Sequence, residues 1–389
     1  MGFKYSNKLK VKKKINLAIL LNENYDIRNK YYKTFENLKK KFSIYFFIIQ
    51  FKKTKKINNK KIYYADNYSK IKLIIKKLKF KFFIDGLYYA DTKNHNKYYL
   101  SIIKKNHELR SIFRESGAKS LRFSFANLSK WNHFPYEIFT SIKFYLKKIK
   151  EKSLPRWLRN IHSHYLIAQG NFLPHYLNYK KSKIIYSHSI DFDNYLRSKD
   201  KKVLIKNYAV YIDQMIGEHP DNKIKSNIVK INAHFNKELL NFFNELEKKF
   251  KLNIKIAPHP KRKIKKKKIY ERKVNFKDNT YNLIKNSKLV LCHDSAAVAL
   301  AVLFKKPIIF LTSNSIKNRK YLDRIYEYSN FFNQETFNIS KQFYFFSKKK
   351  IFSYDVNAYK KYTDNFLKHP KSKKETISQQ IIRELKKFK

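Results

Sequence analysis

Short apolar runs alternate along the chain with longer stretches of helical periodicity. Ile15–Leu21 (INLAILL), Ser43–Ile49 (SIYFFII) and Phe80–Asp85 (FKFFID) have the length and β-branched, aromatic character of buried strands. Arg28–Lys41 and Ser69–Leu78 between them repeat apolar residues at three- and four-residue spacing, as amphipathic helices do. This rhythm predicts a parallel sheet covered by helices. The span from Thr92 to Arg159 reads as helical and irregular, after which Tyr165–Gly170 (YLIAQG) and Lys183–Ser189 (KIIYSHS) resume the strand pattern.

A polar stretch, Arg197–Lys202, separates this region from a second one of the same kind. The second opens with the strand Asn207–Asp213 (NYAVYID), followed by a long helix from about Ser226 to Lys251. Four further strands are expected at 253–257 (NIKIA), 272–276 (RKVNF), 289–292 (LVLC) and 306–311 (KPIIFL). The fold class that follows is α/β, with two Rossmann-like lobes and a cleft between them. The expected division is 1–200 for a first, acceptor-side lobe, 201–330 for a second, nucleotide-binding lobe, and 331–389 for a helical segment that packs back on the lobes.

At 389 residues the chain is long enough for two domains, and 43% apolar residues provide ample core. Charge adds one fact: 88 Lys and Arg stand against 29 Asp and Glu, a net charge of +59. Such a field attracts phosphates, nucleic acid and anionic membranes. Lys, Ile, Asn, Tyr and Phe are inflated together while Gly (5) and Pro (8) are scarce, as AT-rich codon usage produces, so drift in base composition accounts for much of the lysine. Basic residues are spread over the whole chain and match no nucleic-acid-binding motif, which argues against a specific nucleic-acid binder. A lone cysteine, Cys292, excludes an internal disulfide and suits a reducing, cytoplasmic location. No apolar stretch approaches the length that spans a bilayer, so any membrane contact is expected to be peripheral.

Ligands of open α/β sheets sit beyond the carboxyl ends of the strands. In the second lobe His259 follows a strand there and is flanked by Pro258 and Pro260, while Ser295 follows another and precedes an alanine-rich helix, as a helix cap would. A histidine after a strand is often only a hydrogen-bonding partner, and a serine at a helix start is more often a cap than a ligand. Two such residues at the ends of one sheet point to a shared diphosphate pocket. Asp213, His219 and Asp221 mark the loop after the lobe's first strand. In the first lobe, His188, Asp191, Asp193 and Asp85 fall at strand ends facing the cleft.

The strings 184–196, 208–221, 256–260 and 289–312, in that order and spacing, resemble bacterial capsule and lipopolysaccharide biosynthesis proteins. That group is similar to the GT-B polysialyltransferases and, more distantly, to glycerophosphate transferases of wall teichoic acid synthesis. The resemblance is good over about 160–315. It implies GT-B architecture, metal-independent transfer and a nucleotide-sugar donor as co-substrate; the reading that follows is inverting transfer, with no other cofactor, to a glycan or lipid-linked glycan acceptor. It implies donor binding by His259-Pro260 and by Asp294-Ser295, and His293, Ala296 and Asp213, beside these elements, are read as donor-side residues with them. His188, Asp191 and Asp85 are candidates for the general base that deprotonates the acceptor hydroxyl, and Asp193, His219 and Asp221 for substrate contacts. Transfer of a polyol phosphate is the alternative reading, and the anionic inner face of the plasma membrane a further partner. Asp191-Phe192-Asp193 formally matches the D-x-D of metal-dependent transferases, but it lies on the acceptor side. Where relatives show two hydroxyls, this chain has Asp294, a carboxylate that weakens an anion pocket unless it turns away or pairs with a base.

Overall fold

A computed structural model describes residues 14–21, 36–49, 56–87, 97–124, 163–173, 181–198, 204–218, 229–260, 262, 268–274, 279–341 and 347–387. The first lobe is a seven-stranded sheet in which every pairing is parallel. Its strands are β1 (Ile15–Leu21), β2 (Phe42–Ile48), β3 (Ile62–Tyr64), β4 (Phe82–Asp85), β5 (Lys119–Phe123), β6 (Tyr165–Ala168) and β7 (Lys183–Tyr186). They lie in the order β3-β2-β1-β4-β5-β6-β7. The second sheet contains β8 (Tyr208–Ile212), β9 (Asn253–Ala257), β12 (Leu289–Cys292), β13 (Ile308–Thr312) and β14 (Thr336–Asn338), ordered β14-β13-β12-β8-β9 and again parallel. This is the two-lobed α/β arrangement expected from the strand pattern.

One expected strand is placed differently. Of 272–276, Arg272–Lys273 (β11) pairs only with Lys268–Ile269 (β10), in a hairpin turned by Tyr270 and Glu271, both at positive φ. The fifth strand of the sheet is β14, whose three residues are too short to stand out as an apolar run.

Strands buried on both faces explain the unbroken apolar runs. In β1, Leu17, Ile19 and Leu21 feed one core, while Ala18 and Leu20 feed the opposite one. The second of these cores is closed by α1 (Tyr68–Leu78) and α2 (Lys97–Glu115), through Ile71, Ile75, Leu109, Ile112 and Phe113. The other face is closed from the far end of the chain by Ile377, Ile381 and Leu385.

Between the lobes runs α3 (Ile190–Ser198). The second lobe carries α4 (Phe235–Phe250), α5 (Thr280–Asn286), α6 (Val298–Leu303) and α7 (Arg319–Phe331). Helix α4 buries Phe235, Leu239, Phe242, Phe243 and Leu246, an i, i+4, i+7, i+8, i+11 stripe against the sheet.

The remaining segment ties the lobes together. After the short α8 (Lys348–Ile351), helix α9 (Val356–Tyr362) and the π-turn Thr363–Leu367 bury Tyr359, Tyr362, Phe366 and Leu367 in the second lobe's core. The chain then crosses to the first lobe as α10 (Ile377–Lys386), which starts in a capping box made by Thr376 and Gln379. On the way it pairs with the carboxyl edge of the first sheet. Asn171 N donates to Asp364 O (2.9 Å), Ser189 N to Leu367 O (2.7 Å) and His369 N to Ser187 O (3.0 Å). Gly170 is needed at this contact, because a Cβ there would lie 2.1 Å from the Asn365 carbonyl oxygen.

Candidate active site

In the second sheet the chain runs β8 to the edge strand β9 and then returns past β8 to β12, so the strand order reverses between β8 and β12. A crevice opens at such a reversal because the loops leave its two strands in opposite directions. The loops here are Asp213–Met215 after β8 and His293–Ser295 after β12. The Gln214 side chain joins them: its carbonyl accepts from His293 N (3.1 Å) and Asp294 N (2.9 Å), and its amide donates to Asp294 O.

Asp213 is buried, and its carboxylate is held by the Arg262 guanidinium, with Nη2 at 2.9 Å from Oδ1. Oδ1 also accepts from Met215 N (3.0 Å). Its charge is therefore neutralised within the loop, so Asp213 shapes the site and does not present a carboxylate to a donor. His259 and Pro260 follow β9 on the other side of β8, His259 half-buried and Pro260 exposed. The His259 carbonyl accepts from Arg262 N (2.9 Å), which turns the loop back toward Asp213.

The histidine of the other element is not a ligand. His293 is fully buried, with Nδ1 2.7 Å from the Leu311 carbonyl and Nε2 3.1 Å from the Tyr211 hydroxyl. These contacts are satisfied when Nδ1 carries the proton and Nε2 accepts. Burial drives its pKa down to about 4, only partly opposed by the Leu311 bond, so the ring is neutral and structural near pH 7.

Asp294 is the carboxylate that sequence reasoning found out of place, and the structure supplies its counterion. Arg324 Nε, from α7, lies 2.6 Å from Asp294 Oδ2. The Arg324 side chain keeps 44% exposure while that of Asp294 keeps 14%, so the guanidinium forms the outer layer. Burial pushes the Asp294 carboxyl up and Arg324 pulls it back in part. Ser295 is half-exposed, but it does not cap the helix: Ala297 occupies that position, and the Ser295 hydroxyl accepts from Ala297 N (3.2 Å). Ala296 is exposed beside it.

Two first-lobe candidates for the general base are corrected. His188 is fully buried, with Nε2 3.1 Å from Asp193 Oδ1 and Nδ1 3.5 Å from the Gln380 amide. Asp193, also fully buried, takes Arg197 (2.9 Å) and the backbone N of Ile377 (2.8 Å), so it anchors the first turn of α10 and does not meet a substrate. Asp85 is buried under Arg110, with Nε 2.8 Å from Oδ2 and Nη2 3.1 Å from Oδ1. Burial works against its charge, but Arg110 and Arg122 outweigh it and hold the carboxyl below the usual range. Neither His188 nor Asp85 is placed to accept a proton from an acceptor.

Asp191 differs. Two residues from Asp193, it projects from another side of α3 and stays half-exposed. The D-x-D pair is thus divided between two faces. The buried phenol of Tyr362 registers Asp191: burial raises its pKa first, and the charges of Asp191 and Asp294 add to the rise. His219 and Asp221 lie outside the described residues.

Sequence reasoning missed Gln214, Arg262 and Arg324. Gln214 and Arg262 stood beside residues already singled out, and Arg324 carried no signal because it lies on a helix 30 residues from its partner. A fourth unforeseen feature is Glu238, which accepts from the hydroxyls of Ser313 (2.6 Å), Ser315 (2.7 Å) and Ser340 (2.8 Å) and so fixes the loop after β13.

No protein-family model and no curated sequence matches the chain. Among solved structures it is similar to the UDP-GlcNAc 2-epimerase of Methanocaldococcus jannaschii, at 13% identity over 96% of this chain and 100% of the other, TM-score 0.46. It is also similar to a spinosyn forosaminyltransferase (9% identity, 97% and 99% covered, TM-score 0.48). A third similarity is to MurG of Acinetobacter baumannii (8% identity, 84% and 86% covered, TM-score 0.36). These are likenesses of overall shape, and no assignment of activity rests on them.

Proposed function

We propose that the chain is a glycosyltransferase that moves a sugar from a nucleotide-sugar donor to a growing surface polysaccharide or lipopolysaccharide. In this reading it works on the cytoplasmic side, at the inner face of the plasma membrane. The observation that carries the reading is the packing of α3, which bears the half-exposed Asp191, against the second lobe: Phe192 and Tyr195 join that lobe's core, and the Tyr195 ring meets Phe304, just past the helix that follows Ser295, at 5.5 Å. A partly exposed carboxylate on one side and a basic, hydroxyl-bearing strand end on the other is the pairing that group transfer needs.

The donor diphosphate lies against the second lobe, with Arg324, His259 and the Ser295 hydroxyl as its contacts. Arg324 releases Asp294 in part and takes a phosphate oxygen, so the charge of the leaving nucleotide is met by side chains. Asp191 is the remaining candidate for the base that accepts the proton of the acceptor hydroxyl, with inversion at the sugar carbon. The sequence resemblance supports this reading and equally supports its variant, transfer of a polyol phosphate through the same cradle.

The test is thermal unfolding in the presence of CMP-, UDP-, GDP- and CDP-linked donors, followed by product analysis with label in the sugar or in the phosphate. One donor class is expected to raise the Tm by mass action, at roughly 2.7 kcal/mol for a concentration 100 times Kd. His259→Ala is expected to abolish transfer while keeping the unliganded Tm. Wild-type turnover in that variant, no shift with any donor, or isomerisation of the donor without an acceptor would each overturn the proposal.

A further inference from the structure

A second concave surface lies at the opposite edge of the first sheet. Between α1 and α2, at the amino ends of β4 and β5, is a cleft of about 760 Å³. Its rim carries Lys72, Lys76, Lys79, Lys81 and Lys119, against a single carboxylate, Glu115. Glu115 lies 3.7 Å from Lys72, and both side chains are well exposed, so water screens that pair. Its floor is closed by the buried core residues Ile75, Phe80, Phe82 and Ile112.

We propose that this cleft and the outer face of α1 dock on an anionic membrane, with the lysines on lipid phosphates. The inference builds on the membrane-side location proposed above and names the face that makes the contact. Three observations favour a lipid over a free phosphate. The positive groups are lysine ammoniums, which meet phosphates as point charges and without the bidentate fork that fixes one small anion. The stems of the five rim lysines give nothing to an inorganic ion, but their methylenes lie against the first methylenes below a headgroup. Leu73 is 69% exposed on α1, with Lys70, Lys76 and Lys77 at helical i−3, i+3 and i+4 positions. A leucine set among lysines is how an interfacial helix enters the headgroup layer.

Net charge alone would draw this protein to any anionic vesicle, so the experiment compares faces at constant charge. Full-length protein is sedimented with vesicles of 30% phosphatidylglycerol in phosphatidylcholine at 0.15 M salt. The triple variant Lys76→Gln, Lys79→Gln, Lys81→Gln is compared with Lys237→Gln, Lys248→Gln, Lys251→Gln on the second lobe, whose lysines are also exposed. Lys79 and Lys251 share a left-handed backbone (φ 49 and 50), so the two sets carry similar strain. The cleft variant is expected to lose roughly 100-fold in vesicle affinity, at about fivefold per lysine near the surface, and the control set less than threefold. Leu73→Ser is expected to weaken binding about threefold with no change in net charge. Equal losses in both triple variants would overturn the proposal. So would saturable binding of glycerol 3-phosphate or inorganic phosphate in the cleft with no difference on vesicles. The donor thermal shift reads the opposite edge of the molecule, so either proposal can fail without the other.

Discussion

The carboxyl edges of the two sheets carry similar polar sequences and use them differently. On the first sheet, Asp85 is closed by Arg110, His188 and Asp193 are closed on each other, and the crossing segment 363–369 lies over the ends of β6 and β7. On the second sheet, Asp213 is neutralised by Arg262 and His293 is buried, but His259, Ser295 and the Arg324–Asp294 pair remain partly exposed. The first edge is mainly a joint and the second mainly a surface. A strand-end histidine or aspartate marks a place where polar groups must be satisfied, and only the partners decide whether a ligand or another segment satisfies them.

The sharpest way to break this comparison is to disturb the joint. Asp193→Ala removes one carboxylate from three partners, His188, Arg197 and the amide of Ile377, and leaves two of them buried. Loss of one partner from a buried polar network costs about 3–5 kcal/mol. Chemical denaturation should register that loss as a lower midpoint, with α10 the first element to exchange its amide hydrogens. A variant with wild-type stability and lost donor binding would make Asp193 a site residue after all.

Residues on both sides of this contrast show what the sequence could disclose. The strands and the α/β class with two parallel sheets were legible because parallel strands buried on both faces must be apolar throughout, as β8, β12 and β13 are. Helix ends were less legible. Where glycine would mark a stop, this chain places lysine: Lys79 and Lys251 are left-handed C-caps at φ 49 and 50, and Lys305 sits at φ 52 after α6. A left-handed residue with a side chain costs about 1–2 kcal/mol, which the cores under α1 and α4 offset. The helix read as starting near Ser226 begins at Phe235, where the apolar stripe begins. In the site, residue types were readable but pairings were not. Nothing in the local sequence tells that Asp193 reaches residue 377 or that Asp294 reaches residue 324, because those contacts are made by the fold.

A smaller effect separates His293 from the exposed residues around it. Its pKa falls from 6.5 to about 4 on folding, chiefly through burial. Between those values the unfolded chain binds a proton that the native state does not, so stability rises with pH across the window and is lost as pH falls. The slope from this residue is about 1.4 kcal/mol per pH unit. Urea denaturation from pH 6.5 down to 4.5 should show His293→Gln losing stability less steeply than the parent. Some slope remains in the variant, because burial also lowers His107 and His369. An unchanged slope would mean that the ring is already charged in the folded protein.

The smallest effect on stability belongs to the residue to which the proposed donor site gives the most specific role. Arg324 is 44% exposed, and an ion pair that solvent reaches contributes about 0–1 kcal/mol, so Arg324→Gln should leave the Tm within a degree or two. Its effect on ligand binding should be larger, because removal of the guanidinium leaves Asp294 facing the phosphates uncompensated. Donor affinity is expected to fall about tenfold or more, with the loss greater at low salt than at high salt. The double variant Arg324→Gln, Asp294→Asn removes the repulsion together with the attraction and should recover part of that loss. Recovery in the double variant would identify Arg324 as the residue that makes an acidic strand end hospitable to an anion, and equal binding in all three proteins would place the donor elsewhere on the sheet edge.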